Sequence, residues 1–305
     1  MHAELYLQAE KKLFHYYNLT GVSSNIYIPA IGSQVRIIEC GHGEPLLFVA
    51  GDTSSGSTWV SLAALLPDFR CILLDRPGTG LSEDPDYSKM PFRKFASETI
   101  DGVVNHLGIP KINIIGNSLG GYFTLAYAYY HGEKVNKIIL DGMPGSVPGM
   151  KFNLFAKLMS YSWFNKMVLK NMKLNKEEVI KNFKRMGHDK SIKQNLFPEI
   201  MWEYSLQMAI HTNGFKNDWG QYSIIKSHKG EDSKIEFSWN ELKQIKNELC
   251  ILWGEDDTFC KPEMFDNLVK QLNPKFSKLF PDSGHLTFLE NTQEHADSIR
   301  KFIYT

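Results

Sequence analysis

Between Lys111 and Tyr130 the chain reads KINIIGNSLGGYFTLAYAYY, an apolar run that breaks at a glycine-rich polar knot and resumes at a different period. Ile112, Ile114 and Ile115 predict a short strand buried on both faces of a parallel sheet. Beyond the knot, Tyr122, Leu125, Ala126 and Tyr129 recur at helical spacing, and Gly132 follows as a stop. Residues 112 to 132 contain no Lys, Arg, Asp or Glu, a length that suits a membrane span. Yet Gly116, Gly120, Gly121, two asparagines and a serine lie within it, and their polar groups would be costly in lipid. A buried strand, a sharp turn and a buried helix account for the stretch better.

The knot, Gly116-Asn117-Ser118-Leu119-Gly120, has the spacing G-x-S-x-G. A serine at a tight strand-to-helix turn crowds the residues two before and two after it, and glycine relieves both clashes. Such a turn presents the Ser118 hydroxyl at the carboxyl end of the sheet, with the Leu119 backbone N–H at the start of the helix facing any oxyanion that develops. A glycine-rich helix start with a capping serine would use the same five residues. The strand before and the helix after favour the nucleophile.

Around this stretch, strand and helix patterns alternate. Runs at Asn25 to Ile28, Gln34 to Glu39 and Leu46 to Val49, separated by glycines, predict an antiparallel start joined by short hairpins. A polar loop from Ala50 to Thr58 follows, then a helical pattern at Leu62, Leu65 and Leu66, and a strand from Cys71 to Leu74 that ends in DRPGTGLS. A helix from Phe92 to Leu107 leads to the organising strand, and Val135 to Leu140 is a further strand closed by Asp141. The alternation predicts a parallel sheet covered on both faces. It stops at Met143 and returns at Glu248 to Trp253, with a helix from Pro262 to Leu272, a strand from Lys275 to Phe280 and a closing helix from Glu294 to Tyr304. The N-terminal MHAELYLQAEKKLFHYY reads as an amphipathic helix packed on the body and not as a signal peptide.

Three residues then fall in the chain order Ser118, Asp257, His285, each just past the end of a predicted parallel strand, where open α/β sheets build their sites. A serine hydroxyl is a poor nucleophile at neutral pH. It needs a neutral imidazole to accept its proton and a carboxylate to fix that imidazole's tautomer. Spacing alone leaves the acid open among Asp257, its neighbour Asp256 and Asp141 at the end of the strand after the elbow helix. Asp257 is the first choice.

With GNSLGG, DRPGTGLS, ILWGEDD and PDSGHLTFLE in place, the chain resembles the α/β-hydrolase superfamily, and within it the capped serine enzymes of the carboxylesterase and lactonase type, over roughly residues 24 to 142 and 247 to 304. The resemblance implies a mostly parallel eight-stranded sheet with helices on both faces. It also implies a core in two parts, 1–142 and 247–305, with a helical cap at 143–246 inserted after the sixth strand. It makes Ser118 the nucleophile, Asp257 the acid and His285 the base. It puts the second oxyanion donor, beside the Leu119 N–H, at the backbone N–H of Asp52. Such enzymes commonly have His-Gly after the third strand, where this chain has Ala50-Gly51-Asp52. A carboxylate pointing inward there at about 5 Å would oppose an oxyanion by roughly 3 kcal/mol at an effective dielectric near 20. Asp52 is therefore expected to turn away, accepting an N–H of Ser54 or Ser55 in an Asx turn.

The activity implied is hydrolysis of a carboxylic ester or related acyl bond of a small apolar substrate through a Ser118 acyl-enzyme, with no metal or organic cofactor. Lactonase and carbon-carbon bond hydrolase share the triad and stay open. A receptor-like binding protein with little turnover is the alternative from another class. Dehalogenases and epoxide hydrolases of this fold attack with Asp, so Ser118 argues against both, and the Gly-Gly-Pro-Gly run of the proline-peptidase branch is missing. Charge adds one exclusion: 34 basic against 34 acidic residues argue against a general nucleic-acid binder. Within 150–246 there are 17 Lys plus Arg against 10 Asp plus Glu, a net +7, which is read as a solvated face and only secondarily as a membrane-docking one. Cys40, Cys71, Cys250 and Cys260 lack metal-ligand spacing and, without an export signal, fit a reduced cytoplasmic protein. Met143, Met150, Phe155, Trp163, Phe164, Trp202, Tyr204, Phe215 and Trp219 are the candidate pocket residues.

Overall fold

The computed structural model describes residues 3–142, 144–149, 158, 161–225, 235–259 and 262–305. Eight strands form one sheet: β1 (Gly21–Ile28), β2 (Ser33–Cys40), β3 (Glu44–Val49), β4 (Phe69–Asp75), β5 (Ile112–Asn117), β6 (Val135–Asp141), β7 (Glu248–Gly254) and β8 (Phe276–Phe280). Their order across the sheet is β1-β2-β4-β3-β5-β6-β7-β8. The first two strands are antiparallel to their neighbours, and the pairs from β4 through β8 are parallel.

The antiparallel start differs from expectation in one connection. β1 and β2 form a hairpin, but β4, not β3, lies beside β2. The short link from β2 to β3 passes over the beginning of β4. Gly41 has φ +70°, and a Cβ there would stand 2.3 Å from the Phe69 carbonyl oxygen, so the glycine marks a crossing rather than a hairpin. β1 also begins earlier than its apolar pattern, because it is an edge strand of which only Ile26 and Ile28 are buried.

The core lies on both faces of the sheet. Leu47, Val49, Ile72, Leu74, Ile138, Leu140, Ile251 and Trp253 point to one side, where α3 (Phe92–His106) and α4 (Leu119–His131) cover them. Leu46, Phe48, Cys71, Leu73, Ile139, Cys250 and Leu252 point to the other, under α1 (Ala3–Tyr16), α2 (Val60–Ala63) and the C-terminal helix. Period-two alternation with both sets apolar is what a doubly covered parallel sheet demands. α1 buries Tyr6, Ala9, Glu10 and Leu13, the helical stripe expected of it.

Between β6 and β7 the described residues hold no strand. They carry α5 (Ser162–Asn171), α6 (Lys176–Phe183), a π turn at Lys184–His188, α7 (Asp189–Lys193), α8 (Glu199–His211), α9 (Gly214–Ile225) and α10 (Trp239–Leu242). α11 (Pro262–Leu272) and α12 (Thr292–Tyr304) complete the core. No described helix is long and apolar enough to cross a membrane.

Candidate active site

The turn between β5 and α4 has the geometry its glycines imply. Ser118 sits at φ 51°, ψ −120°, a backbone conformation that a non-glycine residue holds only under tertiary constraint. A Cβ on Gly116 would stand 2.5 Å from the Gly120 carbonyl oxygen, and one on Gly120 would stand 2.0 Å from the Val49 carbonyl oxygen. Leu119 opens α4, so its N–H is among the first-turn donors that have no partner within the helix.

Opposite the elbow, the loops after β7 and β8 bring an acid and an imidazole together. His285 Nδ1 lies 2.7 Å from Asp257 Oδ2, with both residues less than 5% exposed. Asp257 Oδ1 accepts the Phe259 N–H at 2.9 Å, which fixes the carboxylate plane. With Asp257 ionised, the imidazole proton sits on Nδ1 and Nε2 keeps a lone pair. Asn117, next to the serine, donates from Nδ2 to the main-chain carbonyls of Asp141 at 2.8 Å and His285 at 3.1 Å, so the elbow and the histidine loop are tied directly. Burial pushes the His285 pKa down. The carboxylate of Asp257, with smaller contributions from Asp141 and Asp52, more than reverses this and leaves it above the usual histidine range.

The other two candidate acids are engaged elsewhere. Asp256 pairs with Lys190 at 2.9 Å. Asp141 accepts the Thr287 hydroxyl and lies 3.3 Å from Nε2 of His295, all three being buried. Of the three, Asp257 is the one hydrogen-bonded to His285.

The Ala50–Thr53 loop is held from behind by residues the sequence reading did not single out. The buried Arg76 donates from Nε to the Ala50 carbonyl and from Nη2 to the Gly51 carbonyl, each at 2.7 Å. Its charge is opposed by burial and restored by the carboxylates of Asp218 and Asp52. The Asp52 carboxylate is thus one of the charges that favour the Arg76 cation, after Asp218. The neighbouring Ser55 hydroxyl goes to Tyr204 and lies 3.1 Å from the Tyr6 hydroxyl. Arg76 belongs to the DRPGTGLS loop that the sequence does flag, but nothing in the loop's pattern says where its guanidinium goes.

The segment between α6 and α7 closes on the histidine loop. The Met186 carbonyl accepts the His285 N–H at 2.9 Å. The fully buried His188 lies 2.8 Å from Glu290 through Nδ1 and accepts the Leu286 N–H on Nε2 at 3.3 Å. Phe259 leans over the His285 ring at 4.5 Å between centroids while remaining 52% exposed, so it stands at the rim of the site. Among the expected pocket residues, Trp202 packs edge-on against Phe183 and Phe197, Tyr204 is buried on Ser55, Phe215 meets Trp219, and Trp163 lies on the surface. Met143, Met150, Phe155 and Cys260 lie outside the described residues. Among the described residues, no group of three or more His, Cys, Asp or Glu could hold a metal ion.

Comparison with known proteins bears on the whole arrangement. Residues 44–292 match the family described as the alpha/beta hydrolase fold. A 2-hydroxy-6-oxononadienedioate/2-hydroxy-6-oxononatrienedioate hydrolase from Escherichia coli is 24% identical over 276 residues, which cover 88% of this chain and 89% of the relative. Two solved structures share the fold. Naproxen esterase (carboxylesterase NP) from Bacillus subtilis has a TM-score of 0.71 at 18% identity, over 98% of this chain and 96% of the other. A meta-cleavage product hydrolase from Pseudomonas fluorescens has a TM-score of 0.70 at 20% identity, over 92% and 97%.

Proposed function

The chain belongs to the α/β hydrolase fold family, and on that premise we propose that it is a serine hydrolase that cleaves a carboxylic ester or related acyl bond of a small apolar substrate. The observation that carries this reading is the buried Asp257–His285 pair at 2.7 Å beside the strained Ser118 elbow. His285 Nε2 takes the Ser118 proton as Oγ attacks the carbonyl carbon, and the tetrahedral oxyanion is held by the N–H groups of Leu119 and Asp52. Collapse expels the alcohol, which leaves with the proton from His285. Water then attacks the acyl-enzyme, gives its proton to His285, and the acid departs as Ser118 recovers its own. Residues 143–246 act as the cap over this site, on a core made of 1–142 and 247–305, in a reduced cytoplasmic protein.

A second reading, a carbon-carbon bond hydrolase on the same triad, draws support from the likeness to the Escherichia coli enzyme named for a dienedioate substrate. One feature favours the neutral ester over a dianion: Arg76, the buried cation behind the Ala50–Thr53 loop, is already ion-paired with Asp218.

The test is hydrolysis of p-nitrophenyl esters from acetate to dodecanoate by wild type and Ser118→Ala, with labelling by a fluorophosphonate. A chain-length optimum in the wild type and a fall of several orders of magnitude in the variant are expected. Turnover retained by Ser118→Ala overturns the assignment. Labelling at Ser118 without ester turnover moves the reading to carbon-carbon substrates or, if those also fail, to a receptor.

A further inference from the structure

The direction of the Asp52 N–H is decided by groups outside the triad. The Gly51–Asp52 peptide is trans, so the Gly51 carbonyl and the Asp52 N–H point opposite ways. The carbonyl end is fixed by Arg76 Nη2 at 2.7 Å, and the preceding carbonyl, that of Ala50, by Nε at 2.7 Å. The same peptide lies beside the nucleophile, since a Cβ placed on Gly51 would stand 2.9 Å from Ser118 Cβ. With its carbonyl drawn to Arg76, the peptide sends its N–H away from the guanidinium.

Arg76 is held in turn by Asp218 of α9, which faces it in a two-pronged pair, Oδ2 to Nη2 at 3.0 Å and Oδ1 to Nη1 at 3.4 Å. Oδ2 also accepts the Thr53 N–H at 2.6 Å, one residue past Asp52. Asn217 steadies that turn of α9 by donating to the Tyr87 hydroxyl at 3.0 Å and to the Pro77 carbonyl at 3.3 Å. Arg76 and Asp218 are both fully buried. An ion pair so completely desolvated is a poor source of stability. Here the pair also makes three hydrogen bonds to the loop that carries Asp52, from Arg76 to the Ala50 and Gly51 carbonyls and from the Thr53 N–H to Asp218.

We propose that Asp218 is a positioning residue: from the helical insertion it grips Arg76 and the Thr53 N–H together, and so aims the Asp52 N–H at the oxyanion formed on Ser118. The oxyanion site is then complete only while α9 is seated on the core. This rests on the serine-hydrolase reading above and adds a requirement to it. The Leu119 N–H comes with the elbow itself, whereas the Asp52 N–H depends on a residue 166 positions later in the chain.

The experiment compares wild type, Asp218→Asn and Asp218→Ala on the best p-nitrophenyl ester. It also compares their inhibition by a trifluoromethyl ketone, which Ser118 converts to an oxyanionic hemiketal, and by the matching methyl ketone, which binds without that charge. Removing an oxyanion donor costs on the order of 100-fold in kcat. Asp218→Ala should therefore lose about that in kcat with KM nearly unchanged, and trifluoromethyl ketone affinity should fall in proportion to kcat/KM. Methyl ketone affinity should stay level, and Asp218→Asn, which keeps an acceptor for Thr53 but loses the negative charge that faces Arg76, should fall between. A loss confined to KM, an equal loss for both ketones, or trifluoromethyl ketone affinity at the wild-type level in folded variants overturns the proposal. If Asp218→Ala does not fold, Asp218→Asn alone decides it by the same ratios. Failure of the hydrolase reading would show separately, as wild-type protein that neither turns over ester nor forms the hemiketal.

Discussion

At His285 two opposing effects set the working pH. Burial disfavours the imidazolium, but three carboxylates, Asp257 foremost, favour it more, and the pKa lies above the ordinary histidine range. A general base must be neutral to accept the Ser118 proton. The kcat/KM profile should therefore fall on its acid side with an apparent pKa above that of free histidine, about 6.5. Asp257→Asn removes the largest favourable charge, so its acid limb should move to lower pH while turnover drops by about 10⁴-fold. A pH-rate profile of both proteins checks this. A limb at the same pH in each would show that Asp257 does not govern the imidazole.

The β5–α4 unit is legible locally, since its apolar periods and the glycines flanking its serine mark strand, turn and helix, although β3 supplies the Val49 carbonyl that crowds Gly120. The π turn and α7 are the opposite case. His188 is placed by Glu290 and the Leu286 N–H, and the Met186 carbonyl by the His285 N–H, all about 100 residues further on. His188→Ala would strip the buried Glu290 of one partner and the Leu286 N–H of its acceptor. We expect it to lower the unfolding free energy by about 2–3 kcal/mol and to slow turnover, because the loop it supports carries His285. Urea denaturation alongside kcat tests this, and unchanged kcat in a destabilised variant would confine His188 to stability.

Over the whole molecule, one buried network ties the N-terminal helix to the sheet and to the loop before α2. Glu10 takes both guanidinium arms of Arg36, at 2.9 and 2.5 Å, and accepts the Tyr6 hydroxyl at 2.8 Å and the Ser57 hydroxyl at 2.6 Å. Asp75 adds a weaker contact to Arg36 at 3.4 Å and accepts the Gly56 N–H at 2.8 Å. Burial pushes the Asp75 carboxyl up to about 6, with Arg36 opposing and Glu10 reinforcing the rise, so its charge only partly compensates Arg36 near that pH. Removing one partner of a buried pair leaves an uncompensated charge. Glu10→Ala should therefore cost about 3 kcal/mol, read as a lower urea midpoint at unchanged slope. A midpoint within error of wild type would mean that Asp75 and water suffice for Arg36.

The amino-acid sequence specifies the sheet's central strands, the elbow and the positions of Ser118 and His285, because each follows from a short-range pattern: period-two apolar runs, glycines two residues either side of a serine, a polar residue just past a strand end. It left the acid open among Asp141, Asp256 and Asp257, because all three end strands and only their partners differ. Tertiary structure gave Asp141 to Thr287 and His295, Asp256 to Lys190 and Asp257 to His285. It also placed β4 between β2 and β3, which the short glycine-flanked link had disguised as a hairpin. Arg76, Asp218, His188 and Glu10 were illegible in sequence for one physical reason. A buried polar side chain is defined by the distant group that satisfies it, and no local period records that partner.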